Sequence, residues 1–493
     1  MSVDDASAGR FGGLSRARGV EGGQASPWAE FGEQLRYYRR RAGLTQRQLG
    51  HRVGYDHSVI SKWESGVREP SAGVVESLER VLGARGALSA LVEPAARLSR
   101  PPSGPLAAGF FAPLPGDGAA TGPFAPARPA GDWPARLAPG TCPLHGATAC
   151  AVPPSDEVRR LPRRLRAARE AAAPAVAEPE TVHLVLALLD VCERTALHST
   201  STTVLGTVEE VLRSLVGWAQ GADAAGRPPL VLLRIAARYA QLAGRLRMQR
   251  GQGALATAWT VHGLHWAEAG GDLTVRATLT TDLCTLARLE GDPASSLGYA
   301  QAVAGLDGSR GWIMTLSHMY QARGYAVMGD GAGSRRQAAL SRRCLDRLGG
   351  RDLAEAPWLA DGQGELRVES AVSGGLRDLA VVTGDRATAR SAAESAVRAL
   401  EQVPDGMLPT KLLLTLRLAD CHACAGELDA ALHVAGPVVE QVVSARRRTL
   451  AHELEGVWRR MSSGWGGVRE VRELRDRMRV AQESAGGGER PSV

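Results

Sequence analysis

The chain has 493 residues, 44% of them apolar and only 4% aromatic, so two or three domains are expected, with cores built mostly from Leu, Val and Ala. Its net charge of +7 favours a polyanionic partner, nucleic acid before an acidic membrane surface. Seven sparse cysteines, odd in number, point to free thiols in a reducing cytoplasm rather than a disulfide scaffold, and there is no run of eighteen apolar residues to span a membrane. Only Lys62 and Lys411 are lysines among the 59 basic residues. So much arginine, with so much Ala and Gly, points to a high-GC genome of the actinobacterial kind.

Residues 1–25 are rich in Gly, Ser, Asp and Arg and carry no apolar core segment, so they read as disordered and not as a signal peptide. From Ser26 the pattern turns helical. Ser26 can cap a helix and Pro27 suits its first turn. Phe31, Leu35 and Tyr38 share one face of a first helix, which Gly43 ends. Thr45 can cap a short second helix, Gln46 to Val53, with Leu49 and Val53 inward, and Gly54 makes the turn after it. Asp56 can cap a third helix in which Ile60 and Trp63 face inward, and Gly66 stops it. Pro70 and Ser71 lead into a fourth helix with Val75, Leu78 and Leu82 apolar. Two short helices joined by a Gly-containing turn form the unit that sets one helix into the DNA major groove. Arg36, Arg39, Arg40, Arg41, Arg47 and Arg52 occur there with no acid between them, a run suited to phosphate contacts.

Residues 93–154 hold about half of the 27 prolines and read as a semi-stiff linker. Its end carries Cys142, His145 and Cys150, whose spacing can supply three zinc ligands, with Cys192 or His198 as a distant fourth. Redox-sensing thiols and ordinary thiols are the other two readings. Cys421 and Cys424 fall on one face of an expected helix and read as small buried residues. His262 and His265, beside Trp266, read as lining a helix interface.

Residues 155–480 are helical throughout. Arg159 to Glu170 is a basic amphipathic stretch, expected to be helical after Pro162. A loose repeat then begins at Gly251, Gly291, Gly329, Gly384 and Gly426, each usually followed by a polar or acidic residue and a helix with small residues at regular steps. Most intervals are about forty residues, one helical hairpin per repeat. The interval from Gly329 to Gly384 is longer, as an insertion or a degenerate unit would make it. Residues 481–493 read as a disordered tail.

The string "LRYYRRRAGLTQRQLGHRVGYDHSVISKWESGVREPS" resembles the XRE family, the phage-repressor and Cro-like helix-turn-helix, because "GLTQ", "QLG", "VG", "ISKWESG" and "REPS" fall in order at the right separations. The departures are Gly50, where alanine is common, and the bulky Trp63. The resemblance implies a five-helix, lambda-repressor-like DNA-binding domain over residues 26–92. It implies that Gln46 touches phosphate and braces the recognition helix, that His57, Ser58 and Lys62 read base edges, and that Val59 presses on a thymine methyl group. It further implies that Arg36, Arg40, Arg47 and Arg68 meet the DNA backbone, and that Arg39 and Glu64 form an internal ion pair. The C-terminal hairpins resemble tetratricopeptide repeats, although the full repeat consensus is never met.

The fold expected is therefore all-α: a helix-turn-helix head, a Pro/Gly-rich linker and a helical solenoid. The function expected is a cytoplasmic, nucleoid-associated transcription regulator that binds double-stranded DNA as a homodimer and takes a peptide or protein effector in its repeats. A protein-interaction scaffold localised to DNA by the same head is the alternative. No nucleophile elbow, Walker loop, Rossmann fingerprint or H-E-x-x-H motif occurs, so neither an enzyme nor a cofactor is expected.

Overall fold

The computed structural model describes residues 28–67, 70, 72–84, 88, 110–111, 114–115, 150, 155–170, 178–198 and 204–486. The architecture is all-α, with no strand among the described residues. The chain forms two compact units, residues 1–103 and 104–493.

In the first unit, α1 (Ala29–Arg41), α2 (Gln46–Val53), α3 (His57–Glu64) and α4 (Ala72–Leu82) enclose one core. Phe31, Leu35, Leu49, Ile60, Trp63 and Leu78 are almost wholly buried in it. The apolar spacing predicted these six, while Trp28, Leu44, Val74, Ala84 and Leu88 join the core without having been expected. Tyr38 and Val53 lie only partly against this core. Gly32 lets α1 cross the end of α3 at close range, because a Cβ there would sit 2.6 Å from the Glu64 carbonyl oxygen and 2.7 Å from that of Trp63.

The second unit begins with α5 (Ser155–Glu170), α6 (Pro179–His198) and α7 (Leu205–Ala224). Helix α5 starts seven residues before Pro162 instead of after it. The proline forfeits one intrahelical hydrogen bond, yet its ring is buried with Val158, Leu161 and Leu165 while Arg160, Arg163 and Arg164 stay exposed. Five hairpins follow: α8 (Leu230–Gln249) with α9 (Gly253–Ala269), α10 (Leu273–Leu289) with α11 (Pro293–Leu306), α12 (Gly311–Val327) with α13 (Gly331–Leu345), α15 (Asp361–Thr383) with α16 (Arg386–Glu401), and α17 (Leu408–Ala425) with α18 (Leu428–Ala435).

The repeat read from the sequence is the punctuation of these hairpins. Gly251, Gly291, Gly329, Gly384 and Gly426 each follow the first helix of a pair with φ between 70° and 85°, a conformation only glycine takes without strain. In three of the five the next residue, Asp292, Asp330 or Asp385, accepts a hydrogen bond from a first-turn amide of the second helix. A left-handed glycine stops one helix and an aspartate starts the next. The long interval after Gly329 contains an insertion, α14 (Gly350–Glu355) and a 3₁₀ turn at Pro357–Leu359.

Three more helices close the unit: α19 (Val439–Ala445), α20 (Arg448–Trp465) and α21 (Arg469–Gly486). The last runs to Gly486, past the expected start of a disordered tail at 481. Ala481 explains the extension, because it is buried on the helix. Helix α20 packs on α17 and also reaches α8, so the end of the hairpin series returns to its beginning. There Arg447 donates to the Ala196 carbonyl at 3.1 Å and Thr449 donates to Gln249 at 2.7 Å. The linker expected over 93–154 needs a correction at its described residues. Phe110, Phe111, Leu114 and Cys150 pack against the core of the second unit, and the Trp266 indole donates to the Phe110 carbonyl at 3.4 Å. Apolar side chains this large gain more from that core than from water.

Candidate nucleic-acid interface

The site is built on α2, the turn at Gly54, and α3. Thr45 and Gln48 form a reciprocal capping box, with the Gln48 amide donating to Thr45 Oγ1 at 3.2 Å and the Thr45 amide to Gln48 Oε1 at 2.9 Å. Gly54, at φ 79°, turns the chain out of α2. Asp56 then caps α3 by accepting from the Ser58 amide at 2.9 Å. The Ser58 hydroxyl, then that amide bond and the neighbouring His57, hold the Asp56 carboxyl down at about 2. The caps expected at Thr45 and Asp56 are present, whereas α1 begins at Ala29 with Trp28 as its N-cap and Ser26 lies outside the described residues.

On α3, Ile60 and Trp63 point into the core, which leaves His57, Ser58, Ser61 and Lys62 exposed on the other side. Val59 is half-buried at the core's edge. Ser61 was missed in the sequence, although it lies three residues after Ser58 and four after His57, the spacing that places residues on one helical face. Arg40, Arg41 and Arg47 are exposed as well, on α1 and at the start of α2. Arg68 lies outside the described residues.

Glu64 is the hub that fixes α3 against α1 and α2. Its side chain is 1% exposed. Arg39 forms a two-pronged ion pair with it, one prong at 3.0 Å, and spends its remaining nitrogen on the Leu44 carbonyl at 2.8 Å. Gln46 donates to Glu64 Oε2 at 2.9 Å. Burial pushes the Glu64 carboxyl up, but the bonds from Arg39 and Gln46 and the charges of Arg39 and Arg36 outweigh it and leave the acid below its usual range. Arg36 donates to the Glu64 carbonyl at 3.0 Å with its side chain 43% exposed, so it is partly occupied inside the domain. The geometry thus divides the expected residues. Arg39, Glu64 and Gln46 form the brace, while His57, Ser58 and Lys62 stand free of it.

Residues 30–92 match the family model described as a helix-turn-helix domain. No curated protein and no solved structure matches the chain. Residues 30–92 thus form a helix-turn-helix domain. In helix-turn-helix domains the second helix of the pair is the element set into the DNA major groove.

The cysteine and histidine candidates divide differently. Cys142 and His145 lie outside the described residues, and Cys150 is buried in the second unit's core. Burial, with Glu193 beside it, pushes the Cys192 thiol up to about 12, which keeps it protonated and a poor fourth ligand. Among the described residues no three Cys, His, Asp or Glu side chains gather as a metal site. Cys421 is fully buried and Cys424 partly so. His262 stacks on Trp266, ring centroids 5.4 Å apart. No helix of the described residues is long and apolar enough to cross a membrane.

Proposed function

We propose that the protein is a sequence-specific transcription regulator. The observation that carries this reading is the free face of α3, with His57, Ser58, Ser61 and Lys62 exposed side by side while Glu64, Arg39 and Gln46 lock the helix from behind. A helix that reads bases must be held rigidly and leave its reading side chains unspent. His57, Ser58 and Lys62 contact base edges, and Val59 meets a thymine methyl with its exposed part. Arg36, Arg40, Arg47 and Arg68 grip phosphates, and Gln46 adds a phosphate contact from its place in the brace.

The second unit, read as tetratricopeptide-like, pairs two chains and sets the distance between two heads. Half-sites then lie about one helical turn apart or a multiple of it. A peptide or protein effector held by the hairpins shifts the dimer between arrangements and so changes operator affinity. The arginine-rich composition supports an actinobacterial source, the sparse cysteines a reducing cytoplasm, and the helix-turn-helix head a place on the nucleoid. Selection of bound sequences from random duplex DNA with the full chain tests the reading. The expected result is a two-fold symmetric motif whose enrichment falls when Lys62 or Ser58 is replaced by Ala. An absence of any enriched motif would overturn sequence-specific regulation and leave a backbone grip that localises an interaction scaffold.

A further inference from the structure

The second unit buries a cluster of charges where α10, α12, α15, α17 and α20 converge. Three of its arginines pair with three carboxylates, although the Arg417 Nε, like that of Arg323, is buried without a partner. Arg377 donates to Asp378 at 2.8 Å and to Glu453 at 2.8 Å, and it also pairs with Asp420. Arg417 donates to Glu453 at 2.7 Å and to the Ser370 carbonyl at 2.6 Å. Arg460 closes on Asp420. Two further guanidinium groups share this cluster without a carboxylate of their own. Arg288 makes no hydrogen bond or salt bridge among the described residues. Arg323 reaches only the edge of Asp378, at 3.4 Å, and its Nε is buried without a partner. Gly374 leaves the space that Arg323 occupies, since a Cβ there would lie 2.9 Å from its guanidinium. His452 likewise makes no hydrogen bond among the described residues.

Cations withdrawn from water are normally paired, and this cluster carries two in excess, the half-buried Arg288 and Arg323. Burial, reinforced by Arg288 and Arg417 and opposed by Asp378, pushes the Arg323 guanidinium down to about 9. Burial likewise lowers Arg288 and, with Arg288 next to it, His452. Loss of water is the largest cause of each shift, and the neighbouring arginines add to it. Beside Arg288 and His452 opens a cavity of about 240 Å³, bordered by Arg377, Arg459 and Arg460, by the Asp378 carboxylate that Arg377 already holds, and by an apolar wall that includes Val381 and Val382. That is smaller than the roughly 300 Å³ at which drug-sized sites begin. It has room for an anionic head and a few more atoms, and none for a DNA duplex or a folded partner.

We propose that this cavity binds a phosphate group, free or carried by a small metabolite, with Arg288 and His452 as its direct ligands and Arg323 as the second neutralising charge. A phosphate monoester carries about −1.5 to −2 at pH 7, which matches the two surplus cations where a single carboxylate does not. A guanidinium fork also meets two phosphate oxygens at once. The proposal goes beyond the peptide or protein effector above by naming a small, anionic ligand and its place.

Calorimetry and thermal melts of the full chain, without DNA, test it against inorganic phosphate, pyrophosphate, glycerol 3-phosphate and chloride at matched ionic strength. At least one phosphate probe is expected to bind in the millimolar range or tighter and to raise the melting temperature. Tighter binding of glycerol 3-phosphate identifies an organic phosphate, and tighter binding of the inorganic ions a free-phosphate sensor. Arg288→Gln is expected to weaken binding at least about tenfold, the loss of a charge-assisted hydrogen bond or more. The same change is expected to raise the melting temperature of the ligand-free protein, because it removes an unpaired charge; a structural arginine would lower it. Arg288→Lys, which keeps the charge and loses the fork, should fall between, and Arg475→Gln on the exposed face of α21 should change nothing. Equal stabilisation by chloride, or wild-type binding by Arg288→Gln and Arg288→Lys, would overturn the proposal. Because no DNA is present, either failure leaves the operator-reading role untouched.

Discussion

Lys62 stands out among the exposed residues of α3, since the chain otherwise uses arginine almost everywhere. A lysine here has a single ammonium to place, suited to a guanine edge within reach of the helix. Lys62→Ala is expected to cost about 1–3 kcal/mol at the preferred operator and to relax the preference at one base pair, which repeating the sequence selection would show. Arg47→Ala should instead weaken all sequences alike and lower the slope of log K against log salt by about 1. Glu64 gives the contrasting case of a residue that matters without touching DNA. Removing its charge leaves Arg39 buried with no carboxylate, so Glu64→Gln should destabilise the head by about 3 kcal/mol, read as faster hydrogen exchange in α1 to α3. The pH dependence has a definite sign. The folded carboxyl is depressed, so its contribution is complete above the ordinary glutamate value of about 4.3 and is lost as pH falls through the lower folded value. Wild-type head stability should therefore stay level from neutral pH down to about 5 and decline below that, while Glu64→Gln should lack this part of the decline.

At the scale of elements, what was legible in the sequence was local. Thr45, Asp56 and Gly54 act within three residues of the backbone groups they serve, so the capping box, the α3 cap and the turn between them could be read directly. The same holds for the Gly-Asp steps that punctuate the hairpins. What was not legible depends on distant partners. Gln46 meets Glu64 across 18 residues, and Arg377 meets Asp420 and Glu453 across 43 and 76, separations at which neither spacing nor charge pattern names a partner. The Arg39 to Glu64 pair was expected only through the family resemblance. Gly50 shows how packing can reverse an expectation. In the sequence Gly50 stood out as a departure where alanine is common, yet a Cβ at that position would intrude on the Tyr55 carbonyl oxygen, one residue beyond the Gly54 turn. Alanine is thus the poorer residue in this chain. Gly50→Ala should destabilise the head by about 1–3 kcal/mol in urea titration, the cost typical of overpacking. A stabilising effect would show instead that the turn relaxes freely.

The whole molecule joins a head of about sixty matched residues to a helical unit several times its size. One reading head buries little surface on DNA, and its arginines grip any sequence. Two heads joined through a common dimer gain much more, because the second binds at the effective concentration set by the connection rather than from bulk solution. If the helical unit supplies that dimer, residues 1–103 alone should bind a single half-site about 10²–10⁴-fold more weakly than the full chain binds the paired site. The per-base preferences should survive the truncation, since α3 and its brace lie wholly inside the head. Fluorescence anisotropy with paired and single half-sites separates the two effects. Equal affinity of the truncated and full chains for the paired site would remove dimerisation from the helical unit's roles and leave ligand binding as the reason for its size.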